Sequence, residues 1–367
     1  MTDRLRTPPP RALRGAIVGY GFISEHGHLP AYSRPGETDF EIVAVADVCA
    51  ARREKARSAL PAASIYESHL GMLEAERGRI DFVDVTTPPS DHARVAQAAL
   101  ARGLHVLCEK PLATSADEAR GMVAQARQAR RVLFPCHNYK HAPVIKAVRR
   151  ILDAGEIGRV RLVTLQTFRT THAKGVREWR RDWRREKQFS GGGIAMDHGS
   201  HTFYLAFDWL GAYPTSITAK TSTLGNFDTE DNFACAITFP NGTATAHLTW
   251  TAGVRKVIYT VHCERGAVRV EDDDVEVAVM NGETDEGQTT WKVEKQEVAS
   301  GWMDASHVGW FRSLLEQFAD AVRREDFVSR ETESSVRCVE LITMAYASAL
   351  HGSRELTLSQ TPLVRVA

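Results

Sequence analysis

Three short stretches contain residue types able to do chemistry. Gly19-Tyr20-Gly21-Phe22-Ile23-Ser24 is a glycine-rich turn of the kind that lets a phosphate group approach the backbone. Glu109-Lys110-Pro111 supplies an ammonium group, which can stabilise a developing oxyanion. Asp197-His198-Gly199-Ser200-His201 places a carboxylate and an imidazole one helical turn apart, a pair suited to proton transfer near neutral pH. Together they predict a hydride transfer that uses a nicotinamide dinucleotide.

The glycine turn stands between a short apolar strand and a helix, the context that a dinucleotide-binding fingerprint requires. Gly19 permits the tight turn, and Gly21 lacks the Cβ that would hold the backbone away from a pyrophosphate. Ser24 replaces the third glycine or alanine of the pattern and is small enough for close packing. An ordinary glycine turn is the alternative. We expect cofactor contacts from Gly19, Tyr20, Gly21, Phe22 and Ile23.

Asp47 ends the second apolar strand, near the spacing of the acid that binds an adenosine ribose. A carboxylate there repels a 2′-phosphate and favours NAD, but Arg52 and Arg53 begin the next helix and leave NADP open. The alternative interpretation is that Asp47 caps this helix, which is compatible with ribose binding.

Two further segments follow strands and reach the same sheet edge, where a dinucleotide passes. Thr86-Thr87-Pro88-Pro89 follows the third strand and is followed by His92, and Glu109-Lys110-Pro111 follows the fourth. Lys110 at this edge can hydrogen-bond a substrate hydroxyl and stabilise an alkoxide; a surface lysine in a loop is the alternative. The predicted cofactor contacts here are Thr86, Thr87, Pro88, His92, Glu109 and Lys110.

Asp197 and His201 are four residues apart and share a helix face. His201 can accept a hydroxyl proton and Asp197 can orient the imidazole or the substrate, although such a pair is often structural. Asp197, His198 and His201 are also potential metal ligands, but no thiolate cluster or H-E-x-x-H motif supports a metal. We therefore expect no metal.

The segment between residues 169 and 187 has an excess of positive charge. It either covers the pocket and attracts a carboxylated or phosphorylated substrate, or forms a solvated charged face. Its eight cations are Arg169, Lys174, Arg177, Arg180, Arg181, Arg184, Arg185 and Lys187.

Composition limits the classes of function and the compartment. The 367 residues contain 46 Lys+Arg and 46 Asp+Glu, so bulk charge does not favour binding of nucleic acid or a membrane surface. The six cysteines are widely spaced without a C-x-x-C pair, which is typical of free thiols in a reducing compartment. With no apolar leader and no apolar span, we expect a cytoplasmic protein.

The pattern of apolar runs predicts two domains of class α/β after a flexible tail at residues 1–12. Residues 13–138 alternate strands with helices, as in a doubly wound parallel sheet of the Rossmann type. Residues 139–367 carry long alternating runs that predict an open, mainly antiparallel sheet with helices, the last of which can pack on the first domain. Predicted strands of the first sheet are 16–18, 40–46, 82–85, 105–108 and 132–135, and the second sheet has seven between 159 and 279.

These segments resemble the Gfo/Idh/MocA oxidoreductases, which include glucose-fructose oxidoreductase and inositol dehydrogenase. The resemblance extends over nearly all of the chain. Its motifs are Gly19 to Ala31 with His28-Leu29-Pro30-Ala31, Thr87-Pro88-Pro89 with His92, Gly103 to Leu112, Gly155-Glu156-Ile157-Gly158, Trp183-Arg184 and Ser190-Gly191-Gly192-Gly193 before Asp197-x-Gly199-x-His201.

The resemblance implies a Rossmann domain, an open-sheet domain and a site between them. It implies that Lys110 contacts substrate and nicotinamide, that Asp197 and His201 face the reacting carbon with His201 as proton acceptor, and that the Lys110-Pro111 bond is cis. Trp183 and Arg184 are implied cofactor contacts. The remaining implied substrate contacts are His198 and, at a site where many relatives carry an arginine, Asn138, Tyr139 and Lys140.

The expected function is an NAD(P)-dependent oxidation or reduction at a secondary alcohol or ketone of a sugar, cyclitol or related polyol. An NAD-dependent glycosidase that recycles its cofactor and a non-catalytic NAD(P)-binding regulator are the alternatives. Because the open sheet face exposes apolar side chains, we expect a homodimer or homotetramer through the C-terminal sheet.

Overall fold

The computed structural model describes residues 11–33, 39–284 and 286–358, so most of the predicted tail lies outside the described residues. The first sheet has six parallel strands in the order β3-β2-β1-β4-β5-β6. This is the predicted Rossmann arrangement. The strands are β1 Leu13–Val18, β2 Phe40–Ala46, β3 Ser64–Tyr66, β4 Phe82–Val85, β5 His105–Cys108 and β6 Leu133–Pro135.

Helices cover both faces of this sheet. The glycine turn leads into a π-helical turn, Ser24–His28, that continues into the first helix. The sequence analysis missed β3 and the helix after it, because three and seven residues are too short to show a period. The helices are α1 Leu29–Tyr32, α2 Ala50–Ala59, α3 His69–Ala75, α4 Pro89–Leu100 and α5 Ala116–Ala129.

The second sheet has nine strands in the order β14-β13-β12-β11-β7-β10-β9-β8-β15. All its pairs are antiparallel except β7 with β10, so the prediction of an open, mainly antiparallel sheet is confirmed. The strands are β7 Val160–Phe168, β8 Ser216–Ser222, β9 Asn232–Phe239, β10 Gly242–Thr249, β11 Lys256–Cys263, β12 Gly266–Glu271, β13 Asp274–Glu283, β14 Thr289–Glu297 and β15 Leu356–Thr357.

In the described part of the chain, five α-helices accompany this sheet: α6 Pro143–Ala154, α7 Lys187–Ser190, α8 Ile194–Leu210, α9 Val308–Arg323 and α10 Arg330–Leu350. The helices α8 and α10 cover one face, and the alternating burial of β9 leaves the other face exposed. Strand β14 was missed because its polar residues are nearly all exposed and it has no buried stripe.

The last two helices also complete the first unit. Phe311 and Phe318 of α9 pack in one apolar layer of the parallel sheet, and Val336 and Val339 of α10 pack in the other. The predicted domain division between residues 138 and 139 stays a prediction. No helix in the described part of the chain is both long and apolar enough to cross a bilayer.

One end of the second sheet meets the start of α8. Ile194 N–H donates to Glu230 O (3.2 Å) just before β9, and Trp250 N–H donates to Asp231 O (2.9 Å) just after β10. The first residues of α8 therefore lie where β7 and β10 end and where β9 and β11 begin. This edge faces the loops that follow the parallel strands, because Lys110 contacts α8.

Candidate active site

The glycine turn leaves room for a phosphate. Gly19 has φ +94°, and a Cβ there would lie 2.9 Å from the backbone of Thr86 and Thr87. A Cβ on Gly21 would meet no atom within 4 Å, so the backbone faces open space. Ser24 Oγ donates to Gly19 O (2.5 Å) and contacts Thr86 Oγ1 (2.6 Å), which joins the turn to the end of β4. Tyr20 is buried, whereas Phe22 is exposed beside the turn and Ile23 packs inward.

Asp47 accepts backbone hydrogen bonds from Tyr20 N–H (2.6 Å) and Cys49 N–H (2.7 Å), which place its carboxylate beside the glycine turn. Burial raises its pKa, while these two N–H groups act in the opposite direction. Cys49 is the N-cap of α2, so the interpretation of Asp47 as the helix cap is wrong. Arg52 is buried and paired with Glu25, which withdraws it from a 2′-phosphate.

His92 is fully buried and joins two of the predicted loops. Its ring nitrogens lie 2.8 Å from Thr87 O and 2.8 Å from Pro111 O. It therefore holds the loops after β4 and β5 at a fixed separation. Pro88 is the N-cap of α4, and Thr87 lies beside the turn at Gly19.

A buried chain of charged groups lies behind Lys110. His28 contacts Asp84 Oδ2 through Nδ1 (2.8 Å) and Glu109 Oε1 through Nε2 (3.0 Å). Burial lowers the pKa of His28, but the two carboxylates raise it to about 10. Glu109 Oε2 accepts Lys110 N–H (3.0 Å), so the buried Glu109 carboxylate helps to fix the backbone at Lys110.

The Lys110-Pro111 bond is cis, as the resemblance implied.

Cys136 lies close enough to His28 and Glu109 for three potential metal ligands to meet. A proton held by His28 between two carboxylates occupies the position that a cation would take, so the chemistry of this set favours an ion pair.

The two halves of the chain meet at Asp197. Lys110 Nζ donates to Asp197 O (2.9 Å) and lies 3.5 Å from Oδ1. Arg184 Nε donates to the same Oδ1 (3.1 Å), and His198 Nδ1 lies 3.3 Å from Oδ2. Burial raises the pKa of Asp197, but the charges of Arg184 and Lys110 outweigh it and hold the pKa well below the usual range.

His201 is buried one turn later on α8. Its Nδ1 lies 2.7 Å from Tyr204 Oη, and its ring stacks on Tyr139 at 3.7 Å with an interplanar angle of 10°. Burial and the charge of Lys110 lower the pKa of His201 well below its ordinary value. The imidazole is thus neutral near pH 7, with Nε2 left for proton transfer.

The start of α8 is fixed by a distant carboxylate. Glu230 accepts N–H groups from Gly193 (2.8 Å) and Ala195 (2.9 Å), and Tyr346 Oη donates to it (2.8 Å). Burial raises the pKa of Glu230. A Cβ on Gly193 would lie 1.9 Å from Glu230 O, so only glycine fits there.

The predicted substrate residues after β6 divide between two places. Tyr139 lies against His201, whereas Lys140 Nζ pairs with Glu331 (2.8 Å) and lies 3.8 Å from Asp208. Lys140 and Glu331 line a cavity of about 880 Å³ beside α6 and the start of α9. Asn138 is buried in the intervening 3-10 turn, Asn138–His141.

Four of the eight cations of the basic segment form ion pairs within the described fold. Lys174 pairs with Asp182, Arg180 with Glu186, Arg184 with Asp197 and Arg185 with Asp231. Trp183 lies under the Arg184 guanidinium at 4.2 Å. The segment also reaches the first unit, because Glu178 pairs with Lys55 of α2 (2.6 Å).

Comparisons with known proteins identify the lineage. The model of an oxidoreductase family with an NAD-binding Rossmann fold matches residues 13–137, and the model of the GFO/IDH/MocA C-terminal domain matches residues 145–269. The chain belongs to the Gfo/Idh/MocA family. It is therefore an NAD-binding oxidoreductase, and the open space at Gly21 and the carboxylate of Asp47 fit such a cofactor.

The chain is similar to several curated proteins and solved structures. The chain is 26% identical over 273 residues to the uncharacterized oxidoreductase YdgJ of Escherichia coli (strain K12), covering 74% of this chain and 75% of that protein. It is 28% identical over 288 residues to inositol 2-dehydrogenase of Rhizobium meliloti (strain 1021), covering 74% and 80%. A structure of levoglucosan dehydrogenase with NADH and levoglucosan superposes with a TM-score of 0.79, at 19% identity and coverage of 95% and 100%.

Some residues of this Gfo/Idh/MocA site were missed by the sequence analysis. Tyr204 follows His201 by three residues, so helical spacing alone could have indicated their contact. His28 stands in a motif that the family resemblance used, but its partners Asp84 and Glu109 are distant in sequence. Glu230 carries no local signal of its role at the start of α8.

Proposed function

We propose that this protein transfers a hydride between NAD and the carbon of a secondary alcohol or ketone in a sugar, cyclitol or related polyol. The observation that carries the proposal is the contact of Lys110 with Asp197 at the start of α8, one helical turn before the buried His201 on the same helix. The names of the relatives, inositol 2-dehydrogenase and levoglucosan dehydrogenase, support this class of substrate.

Each residue has a role that follows from its contacts. Lys110 Nζ donates to the substrate oxygen and stabilises the alkoxide as it forms. His201 Nε2 accepts the hydroxyl proton, while Tyr204 and Tyr139 fix the plane of its ring. Asp197 holds Lys110 and is itself held by Arg184. The glycine turn, Asp47, Thr87, Pro88 and Trp183 would hold NAD, which would supply the acceptor for the hydride.

The low pKa of His201 predicts the acid limb of the pH profile. Because burial and Lys110 disfavour the imidazolium, the proton-accepting form persists below the ordinary histidine pKa of about 6.5. We expect kcat/KM for alcohol oxidation to fall only below about pH 6.5, and this limb to move to higher pH in Lys110→Met. The measurement is the initial rate across pH; a limb centred above pH 7 in the wild type contradicts the assignment.

The function is tested with a panel of sugars, cyclitols and uronates, each incubated with NAD or NADP. Formation of reduced nicotinamide with at least one polyol is expected, with NAD preferred because of Asp47. Cleavage of a glycoside without accumulation of reduced cofactor would replace this proposal by the glycosidase. Tight NADH binding without turnover of any compound would replace it by the regulator.

We further propose a homodimer or homotetramer formed through the exposed face of the second sheet. Its outer hairpin exposes Met280 (41%), Trp291 (54%) and Val293 (58%), which are cross-strand neighbours on β13 and β14. A second subunit would remove this apolar surface from water.

The free state of all six cysteines supports a reducing, cytoplasmic location.

Substitution of Trp291 tests the oligomer. Trp291→Glu places a charge in the proposed interface and should lower the molar mass measured by light scattering to that of a smaller species. Lys292→Glu is the matched control, because the next residue on β14 points to the other face and should leave the mass unchanged. A monomeric wild type would disprove the proposal.

A further inference from the structure

Two arginines stand opposite each other at the end of the second sheet that faces the site. The antiparallel register pairs Lys256 of β11 with Phe168 of β7, so Arg255 and Arg169 follow as the next opposed residues. Ala252 N–H donates to Arg169 O (3.1 Å), which keeps the two segments together beyond the ladder. Like charges directly opposite across strands are destabilising, so this pair has a cost for the fold.

Both arginines belong to the inner face of the sheet. Thr167 and Val257, two residues from each arginine along its strand, are buried on the face that α8 covers. Lys256 lies between Arg255 and Val257 along the chain, so its side chain points to the opposite face of the sheet, where it pairs with Glu271 (2.7 Å). Arg169 and Arg255 therefore lie on the side of the sheet that carries Asp197 and His201.

Each arginine is linked to the groups around Asp197 and His201. Burial lowers the pKa of His198, the neighbour of Asp197; the Asp197 carboxylate raises it, and the positive charge of Arg169 lowers it. Arg255 donates to Trp302 O (3.3 Å), and the Trp302 ring packs on Tyr139 at 5.1 Å. Tyr139 is the ring that stacks on His201, so the arginines flank the wall beside the reacting groups.

The charges of this pair are not balanced by direct ion pairs. Within the residues that the structure describes, Arg169 donates to the carbonyls of Phe168 and Lys256, and Arg255 to those of Met303 and Trp302. No carboxylate of the described chain lies within 4.0 Å of either guanidinium, in contrast to Arg184 and Arg185 nearby.

Nearby acids do not change this conclusion. Asp272 is near Arg255, but its carboxylate accepts Val257 N–H (2.9 Å) and lies 3.7 Å from Lys256 Nζ. Burial first, and then the charge of Arg169, lower the pKa of Arg255. Nε and Nη2 of Arg169 have no acceptor among the described residues, so they are available to a ligand.

We propose that Arg169 and Arg255 form a subsite for an anionic oxygen group of the substrate, so that the polyol is an acidic sugar bearing a carboxylate or a phosphate. The proposal rests on the proposed function, because it assigns one end of the same substrate. A bound oxyanion would relieve the repulsion between the guanidinium groups and accept their remaining N–H donors. The reacting hydroxyl would then lie toward Lys110 and His201.

The test compares matched substrates that differ in charge. Glucose, glucuronate and glucose 6-phosphate, with the corresponding galactose and mannose sets, are assayed with NAD for kcat/KM. The same compounds are titrated calorimetrically into the NADH-bound enzyme, which reports binding without turnover. The variants are Arg169→Met and Arg255→Met, with Arg169→Gln as a milder change and Lys256→Met as the control for loss of a neighbouring charge on the other face.

We expect an acidic member to exceed its neutral counterpart in kcat/KM by about tenfold or more, with the carboxylate and phosphate arms showing which group fits. Arg169→Met and Arg255→Met should remove this preference, measured as the ratio of kcat/KM for the acidic and the neutral sugar, and Lys256→Met should leave that ratio unchanged. Added salt should weaken the wild-type preference, a measurement that depends on no variant.

Equal or better use of neutral sugars, with variants that do not change the ratio, would overturn the subsite while the proposed function stands. Turnover of no polyol would overturn the proposed function. In that case, calorimetric binding of an acidic sugar that both arginine variants abolish would support the subsite, and absence of such binding would overturn it.

Discussion

Replacing Lys110 by Met is expected to lower kcat for polyol oxidation by about 100- to 1,000-fold while the protein stays folded. The Lys110 ammonium lies 3.5 Å from Asp197 Oδ1, which also binds the Arg184 guanidinium at 3.1 Å, and it reaches α8 from the loop that follows β5. His201→Ala should produce a loss of similar size, because its imidazole stacks on Tyr139 at 3.7 Å, whereas the other imidazole beside Tyr139, His307, is a tilted contact at 5.9 Å. Steady-state kinetics with NAD and the best polyol measure both losses.

The fold should survive these changes. Without Lys110, Asp197 retains Arg184 and His198 as partners, so the buried carboxylate is not left uncompensated. Lys220→Met, an exposed site on β8, controls for the loss of a positive charge and should retain full activity. Normal turnover in both Lys110→Met and His201→Ala would remove these residues from the reaction.

Gly193→Ala should destabilise the protein and disable the site together. A Cβ at this residue would lie 1.9 Å from Glu230 O and 2.7 Å from Glu230 N, and backbone atoms cannot rotate away as a side chain does. The start of α8 must move, which breaks the two N–H bonds to the Glu230 carboxylate and displaces Asp197. We expect a loss of about 3 kcal/mol in the free energy of unfolding.

Chemical denaturation and kcat/KM measure the two consequences of Gly193→Ala. Gly309→Ala is the matched control, since a Cβ there meets no atom within 4 Å and the residue lies in the first turn of α9. It should stabilise the protein by about 0.5–1 kcal/mol. Unchanged stability and activity in Gly193→Ala would show that the start of α8 is not held as tightly as the contacts indicate.

The parts of the site predicted from sequence are those encoded locally. The glycine turn, the lysine after β5 and the Asp197 to His201 spacing each depend on a few neighbouring residues, and parallel strands bring their following loops to one edge. The fold class followed from the change between two kinds of apolar periodicity. The cis Lys110-Pro111 bond came from the family resemblance and not from the residues alone.

The parts that sequence reasoning missed depend on distant partners. Asp84 and Glu109 meet at His28 only because adjacent parallel strands place them beside the helical turn. The role of Tyr139 as a substrate contact stays a prediction, and its stacking on His201 was missed because a local pattern cannot reveal it. The register of β7 with β11 likewise decides that Arg169 faces Arg255.

A structure of the protein with NADH and a polyol bound measures the central claim most directly. We expect the pyrophosphate at Gly21, the nicotinamide ring beside Lys110, and one substrate hydroxyl oxygen about 3 Å from both Lys110 Nζ and His201 Nε2. A nicotinamide bound away from Asp197, or a polyol with no hydroxyl within reach of these two nitrogen atoms, would contradict it.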